Sequence, residues 1–294
     1  MKYIIFNWKS YLNIAESMNL SKIVSKLPST KKYKLICSPN NFYNLSLKSR
    51  YPKNIYAAQN IDLHGKGAST GSIDIEDLVN NKIKYCILGH SEVRSNFGET
   101  DLIVQKKTDL CLINKIKPIV CIGEPLKIYK SKKTKFFLKK QINKIFKKSN
   151  NYEEVVLAYE PLWSIGTGLT PKLSEIDDIL GFLSKILENY SFKKINILYG
   201  GSVNLSNIKD ILSLRNLNGV LVGSASTKFL NDIMINLFLI ISAVIGVVLI
   251  LIILFQKTEG GSLGLGTQTS LTGGMTANKS SFSGMTKITY VLGF

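Results

Sequence analysis

Eight short runs of apolar residues, none with the polar alternation of a half-exposed strand, recur along the first 223 residues of the chain. They are YIIFN (3–7), YKLIC (33–37), IYAAQ (55–59), KYCIL (84–88), KPIVC (117–121), VVLAY (155–159), INILY (195–199) and GVLVG (219–223). A strand with one face in water alternates, whereas a strand covered on both faces does not, so these runs predict a parallel sheet enclosed by other layers. Parallel neighbours need a crossover of helical length. The stretches EIDDILGFLSKILENY (175–190) and SNIKDILSL (206–214) supply it, with apolar residues at helical spacing. Eight strands with helical crossovers fit a closed (β/α)8 barrel of the α/β class. The competing open, doubly wound sheet usually carries GxGxxG after its first strand, whereas NWKSYLN surrounds the end of the first run here.

The unusual residues fall at or just beyond the carboxyl ends of these runs: Asn7 and Lys9, Gln59 and Asn60, His90, Gly123 and Glu124, Glu160, Gly200 to Ser202, Gly223 and Ser224. In a barrel those ends share one face, which is where active sites are built. Glu160 stands between an apolar strand and Pro161, which biases it toward an extended conformation. A carboxylate at such an apolar lip suits a general base; an ordinary strand-end ion pair is the alternative. His90 follows Gly89 and precedes Ser91, a residue suited to capping a helix. A helix start aimed at the ring favours neutral imidazole, which can donate a hydrogen bond to a carbonyl. His64, in a Gly-flanked loop, reads as structural. PLWSIGTGLTP (161–171) has prolines at its ends around Gly166-Thr167-Gly168, the make-up of a lid whose amides fold over a phosphate. YGGSV (199–203) and VGSAS (222–226) add Gly-containing turns after the last two strands, where phosphate cradles form.

Charge narrows the function classes. Of 38 basic and 20 acidic residues, 35 and 18 precede residue 230, a surplus of 17. Such a surplus can serve a nucleic-acid surface, but only Arg50, Arg94 and Arg215 are arginines and the lysines are dispersed, so no nucleic-acid partner is expected. The denser run from Lys127 to Lys148 reads as a solvated helix face. Cys37, Cys86, Cys111 and Cys121 lack CxxC spacing, which predicts buried, reduced thiols rather than disulfides or a zinc site. MKYIIFNWKSYLN has no secretory apolar stretch of useful length, so the barrel is expected in the cytosol.

FNWK, AAQN, GHSEVRSNFGE, CIGE, AYEPLWSIGTG, LYGGSV and GVLVGSAS occur in the order and at the spacing of triosephosphate isomerases, which residues 1–229 resemble. The resemblance implies a TIM barrel that interconverts dihydroxyacetone phosphate and glyceraldehyde 3-phosphate through an enediolate. It implies Glu160 as the base, neutral His90 as the electrophile, Lys9 as positive charge for the substrate, Asn7 as an orienting group and Glu92 as their support. Phosphate would meet the amides of Gly166, Ser202, Gly223 and Ser224. No metal or organic cofactor is implied. A homodimer is, with the loop LHGKGASTGS (63–72) entering the partner and Thr70 near its tip. Three departures stand out: Ser10 and Tyr11 replace the usual Met-Asn, Ser224 replaces a frequent Gly in the phosphate turn and could crowd the phosphate, and the barrel is slightly short.

Residues 233–255, IMINLFLIISAVIGVVLILIILF, carry no charge, and about 20 apolar residues cross a bilayer. A barrel has no element left for them. A transmembrane helix is therefore expected over 230–257, a flexible Gly/Ser/Thr-rich loop over 258–284, and the start of a truncated second membrane helix over 285–294. This arrangement resembles SecG, the accessory subunit of the bacterial Sec export channel, and implies a Sec translocase partner and inner-membrane attachment. The alternative function is a membrane subunit with an incidental barrel. In the SecG pattern the segment before the first helix faces away from the cytosol, which conflicts with a folded cytosolic barrel. Met234 is placed to begin a second reading frame, so two joined neighbouring genes is the other reading of the chain.

Overall fold

Every apolar run forms a strand in the computed structural model, which describes residues 1–28, 31–165, 167 and 169–228. The strands are β1 (Lys2–Asn7), β2 (Tyr33–Ser38), β3 (Ile55–Ala58), β4 (Tyr85–Leu88), β5 (Lys117–Ile122), β6 (Asn151–Tyr159), β7 (Ser191–Tyr199) and β8 (Gly219–Val222). Each pairs in parallel with the next, and β8 pairs with β1, so the sheet closes into a barrel and the open alternative is excluded. The expectations for 230–257, 258–284 and 285–294 lie outside the described residues, as do Gly166 and Gly168 of the segment 161–171. Among the described residues no helix is long and apolar enough to cross a membrane.

Closure explains why the runs are apolar throughout. Ile5 stands opposite Ile36 of β2 and Leu221 of β8. These three join Ala57, Ile87 and Ile119 in the packed interior. The alternate residues face the helices α1 (Ile14–Lys26), α2 (Asn44–Arg50), α3 (Ile75–Asn80), α4 (Ser91–Phe97), α5 (Asp101–Ile113), α6 (Leu126–Lys130), α7 (Thr134–Ile145), α8 (Leu173–Leu187) and α9 (Ile208–Ser213). Helix α8 buries Ile176, Ile179, Leu180, Leu183, Ile186 and Leu187. Each is worth about 1.5–3 kcal/mol on leaving water, which is what docks the helix. The lysine-rich stretch is α6 and α7, separated at Lys132 by a positive φ of 56°. Its lysines are all exposed, while Leu138, Ile142 and Ile145 are buried. All four cysteines are free and buried.

Strands β6 and β7 begin four residues before the apolar runs that announce them. The extension is polar and is held by cross-strand pairs rather than by burial on both faces. Lys193 pairs with Glu153 at 3.0 Å, and the Tyr152 ring stacks on Phe192 with centroids 5.0 Å apart. Phe146 meets both rings edge-on.

The amino-terminal end of the barrel is plugged. Tyr3 donates its hydroxyl hydrogen to Glu154 Oε1 at 2.7 Å, and Lys117 pairs with the other oxygen. Lys34 donates to the Tyr85 hydroxyl at 2.8 Å and lies 5.4 Å from the ring centroids of both Tyr3 and Tyr85. Burial pushes the Glu154 carboxyl up, but the hydrogen bonds and charge of Lys117, with Tyr3, outweigh it and hold the group below the ordinary carboxylate range.

Strand β8 starts at Gly219, whose φ is +154° and whose missing Cβ would overlap the Tyr3 backbone. Gly219→Ala should therefore lower the urea-unfolding free energy by about 3 kcal/mol. An alanine variant as stable as the parent would show that β1 and β8 are not packed this closely.

Candidate active site

The site begins where β1 ends. Beyond Asn7 the backbone turns through Lys9 at a φ of +50°, a left-handed conformation that costs a non-glycine residue roughly 1–3 kcal/mol. Neighbours hold it there. The Lys9 N–H donates to Asn7 Oδ1 at 3.1 Å, and Gln59 Nε2 donates to the carbonyls of Lys9 at 2.9 Å and Ser38 at 3.1 Å. Gln59 is itself fixed by Asn41, whose Oδ1 accepts its backbone N–H at 2.7 Å. The Lys9 ammonium reaches Glu92 Oε1 at 2.6 Å and passes beside Gly223. The ring of Tyr11, one of the two departures after NWK, lies beside this ammonium with its centroid 5.9 Å away.

His90 owes its position to the turn before it. Gly89 has a φ of +68°, and an added Cβ would come within 2.8 Å of Arg94 Nη2 and of Val104. Its N–H donates to Glu99 Oε2 at 2.9 Å, and its carbonyl accepts from Arg94 Nε at 2.7 Å. Glu99 is buried in an ion pair with Lys107, and Arg94 bonds Asp101 at 2.8 Å. His90, rather than Ser91, is the N-cap of α4: its Nδ1 accepts the Glu92 N–H at 3.3 Å. A ring nitrogen two atoms along reaches the orphan amide, so the serine is already the first helical residue. With Nδ1 an acceptor, the neutral ring carries its proton on Nε2.

That Nε2 faces Glu160 Oε1 across 3.7 Å, too far for a hydrogen bond. Glu160 is 1% exposed, and its Oε2 has no hydrogen-bond partner. Such an atom is costly unless something else comes to it. Two glycines make room for the residue. A Cβ on Gly123 would overlap the Glu160 carbonyl, and one on Gly200 would stand 2.8 Å from its Cγ and 3.2 Å from Oε1. The adjacent Cys121 thiol is pushed well above its ordinary range by burial and then by the Glu160 charge.

Asn7, Lys9, His90 and Glu160 line one cavity of about 320 Å³, together with Ser202, Gly223 and Ser224. Ser224 is partly buried there, and its carbonyl accepts the Thr227 hydroxyl at 2.8 Å. Glu92 lines an adjoining cavity of about 470 Å³ that shares Asn7, Lys9 and His90. The cavity thus offers a buried carboxylate, an N–H donor and an ammonium to a small anionic molecule. Among the described residues no cluster of three His, Cys, Asp or Glu side chains is placed to hold a metal. Gln59 is marked by its place at the end of the third run, whereas Arg94 and Glu99, which fix His90, carry no hydropathy signal and stand out only by their place inside GHSEVRSNFGE.

Residues 2–242 match the protein family described as triosephosphate isomerase. The chain is 36% identical to the triosephosphate isomerase of Mycoplasma mobile over 232 residues, covering 76% of this chain and 94% of that protein. It is 35% identical to that of Mycoplasmoides gallisepticum over 234 residues, covering 76% and 93%. For Amoebophilus asiaticus the identity is 34% over 238 residues, covering 77% and 94%.

At the end of β5, Glu124 is fully buried and accepts the Tyr159 hydroxyl at 3.2 Å and the Trp163 indole N–H at 3.1 Å. Burial pushes its carboxyl up, against the lowering by those hydrogen bonds. A carboxyl raised on folding favours the folded chain most below its unfolded value, and that contribution is lost as pH rises through the raised value. Glu124→Gln should therefore raise Tm at pH 8 by roughly 2–4 °C, the shift of about 1 kcal/mol in a domain of this size. The gain should shrink towards pH 4, and a gain equal at both values would reject a buried charge at this position.

Proposed function

The chain belongs to the triosephosphate isomerase family, and we propose on that premise that it interconverts dihydroxyacetone phosphate and glyceraldehyde 3-phosphate with Glu160 as its base. The observation that carries the reading is the buried, unpartnered oxygen of Glu160, beside a histidine whose Nε2 stands 3.7 Å from the carboxylate's other oxygen. Glu160 takes a proton from the carbon next to the carbonyl, and the electrons of that C–H bond form the double bond of an enediolate. The His90 Nε2–H donates to the carbonyl oxygen as its negative charge develops. The hydroxyl proton on the adjacent oxygen then passes, by way of His90, to the former carbonyl oxygen, and the same carboxylate returns the first proton to the neighbouring carbon, so that ketose is exchanged for aldose. Lys9 adds positive charge, held in place by Glu92 at 2.6 Å, and Asn7 orients the substrate oxygens. The phosphate meets the amides of Gly166, Ser202, Gly223 and Ser224. Segment 161–171 acts as the lid that keeps water from an intermediate prone to shed its phosphate. No metal or organic cofactor enters this scheme.

The active form in this proposal is a homodimer. Loop 63–72 is tied at its neck, where Asp62 accepts the Ile73 N–H at 2.7 Å and donates its own to the Ile73 carbonyl at 3.0 Å. Its tip around Thr70 is exposed. The 470 Å³ cavity beside Lys9 includes Tyr11 and Phe97, which are 56% and 81% exposed. A mixed polar and apolar hollow beside the proposed catalytic groups, rimmed by two exposed rings, fits a partner's small polar loop.

For the end of the chain, the uncharged run 233–255 supports a second proposal, a membrane attachment of the SecG type. The family match through residue 242 competes for the front of that run. Full-length protein retained in carbonate-washed membranes supports attachment, and complete recovery in the soluble fraction rejects it.

In a coupled assay, Glu160→Gln should lower kcat by about 10²–10⁴ with little change in KM; turnover at the parent rate would reject Glu160 as the base. Phe97→Asp should shift the protein from dimer to monomer in sedimentation equilibrium and lower kcat/KM with it. A fully active monomer would remove the partner's loop from the site.

A further inference from the structure

Segment 161–171 leaves the barrel directly after Glu160 and runs into α8, and one side chain outside it touches both Trp163 near the segment's start and Glu175 in the first turn of that helix. Tyr129, on α6, stacks on Trp163 with ring centroids 4.1 Å apart and planes 29° from parallel. Trp163 is at the same time tied by its indole N–H to Glu124 Oε1 at 3.1 Å. The Tyr129 hydroxyl donates to Glu175 Oε1 at 3.2 Å. The other oxygen of Glu175 accepts the backbone N–H of Lys172 at 2.9 Å, closing the first turn of α8 just past Pro171.

General packing does not account for this arrangement. Tyr129 and Trp163 are only partly buried. With Pro171 and Glu175 they border an open cavity of about 280 Å³, so each ring has a side that faces no protein atoms. What holds Trp163 is the Tyr129 face on one side and one hydrogen bond at its edge. What links the far end to the near one is the Tyr129 hydroxyl.

We propose that Tyr129 is a positioning residue that clasps the two ends of the 161–171 segment and so sets how firmly that segment stands over Glu160. The proposal rests on the isomerase reading and on this segment being its lid. The ring secures the first end and the hydroxyl secures the second. Losing the ring frees Trp163, three residues from the base; losing the hydroxyl frees only the return at α8. A lid released at either end admits water and loosens its grip on the phosphate, so more enediolate is lost as inorganic phosphate before the proton is returned.

Three measurements on the full-length chain test this: isomerase turnover, inorganic phosphate released per turnover, and tryptophan emission. The chain has two tryptophans, and Trp8 is 1% exposed, so changes in emission report Trp163. In Tyr129→Ala the phosphate released per turnover should rise by about fivefold, the factor equivalent to one aromatic contact, KM should rise, and emission should shift to the red. Tyr129→Phe keeps the ring, so its emission should match the parent while phosphate release rises by less. A change confined to thermal stability, with phosphate release and KM at parental values in both variants, overturns the clasp. If Tyr129→Ala does not fold, Tyr129→Phe decides alone: increased phosphate release supports the proposal and parental release overturns it. A parent protein without isomerase turnover overturns the isomerase reading instead, before either variant is compared.

Discussion

Hydrogen bonding between the first and last strands is the constraint on which the site depends. Were Tyr3–Phe6 not paired with Gly219–Val222, β1 and β8 would be opposite edges of an open sheet, each with a row of unsatisfied backbone groups. Asn7 and Lys9 would then stand a full sheet width from Gly223 and Ser224. Closure places them around one cavity. It also removes the last solvent-facing strand surface, which is why polar residues are driven out of the runs and collect at their ends.

Within the cavity, the arrangement depends on groups being kept from satisfying one another. At 3.7 Å, Glu160 and His90 face each other without bonding. The histidine's other nitrogen is occupied by a backbone amide, so only Nε2 is left to act. Lys9 bears backbone strain that Asn7 and Gln59 hold in place. Glu92 accepts its ammonium, yet it is half exposed, so water screens that pairing and leaves charge to spare for an anion.

The eight strands were legible because burial on both faces writes itself into hydropathy, and each run falls on its strand within a residue at the carboxyl end. The amino-terminal extensions of β6 and β7 were not legible, because a ladder held by Glu153–Lys193 and stacked rings looks polar in a one-dimensional reading. Residues at strand ends pointed to the cavity, since a barrel gathers those ends whatever their sequence separation. Serine is the commoner capping residue, so the sequence favours Ser91 as the cap of α4, whereas the cap is His90, whose ring nitrogen follows the turn at Gly89. Arg94, Glu99 and Gln59 act through hydrogen bonds to backbone carbonyls and amides, and no periodicity encodes such partners. Tyr129 is hidden for a similar reason: its two contacts lie 34 and 46 positions downstream, one in segment 161–171 and the other on α8. Gly166 lies outside the described residues, as do the residues beyond 228.

The stopper at the base, where Tyr3, Tyr85, Lys34, Lys117 and Glu154 bond to one another, lies at the end of the barrel opposite the cavity. In the proposed scheme, a hydrogen isotope lifted from a sugar carbon onto Glu160 exchanges with the medium on the same face of the barrel at which the ester enters and leaves, so label retention and product departure are coupled.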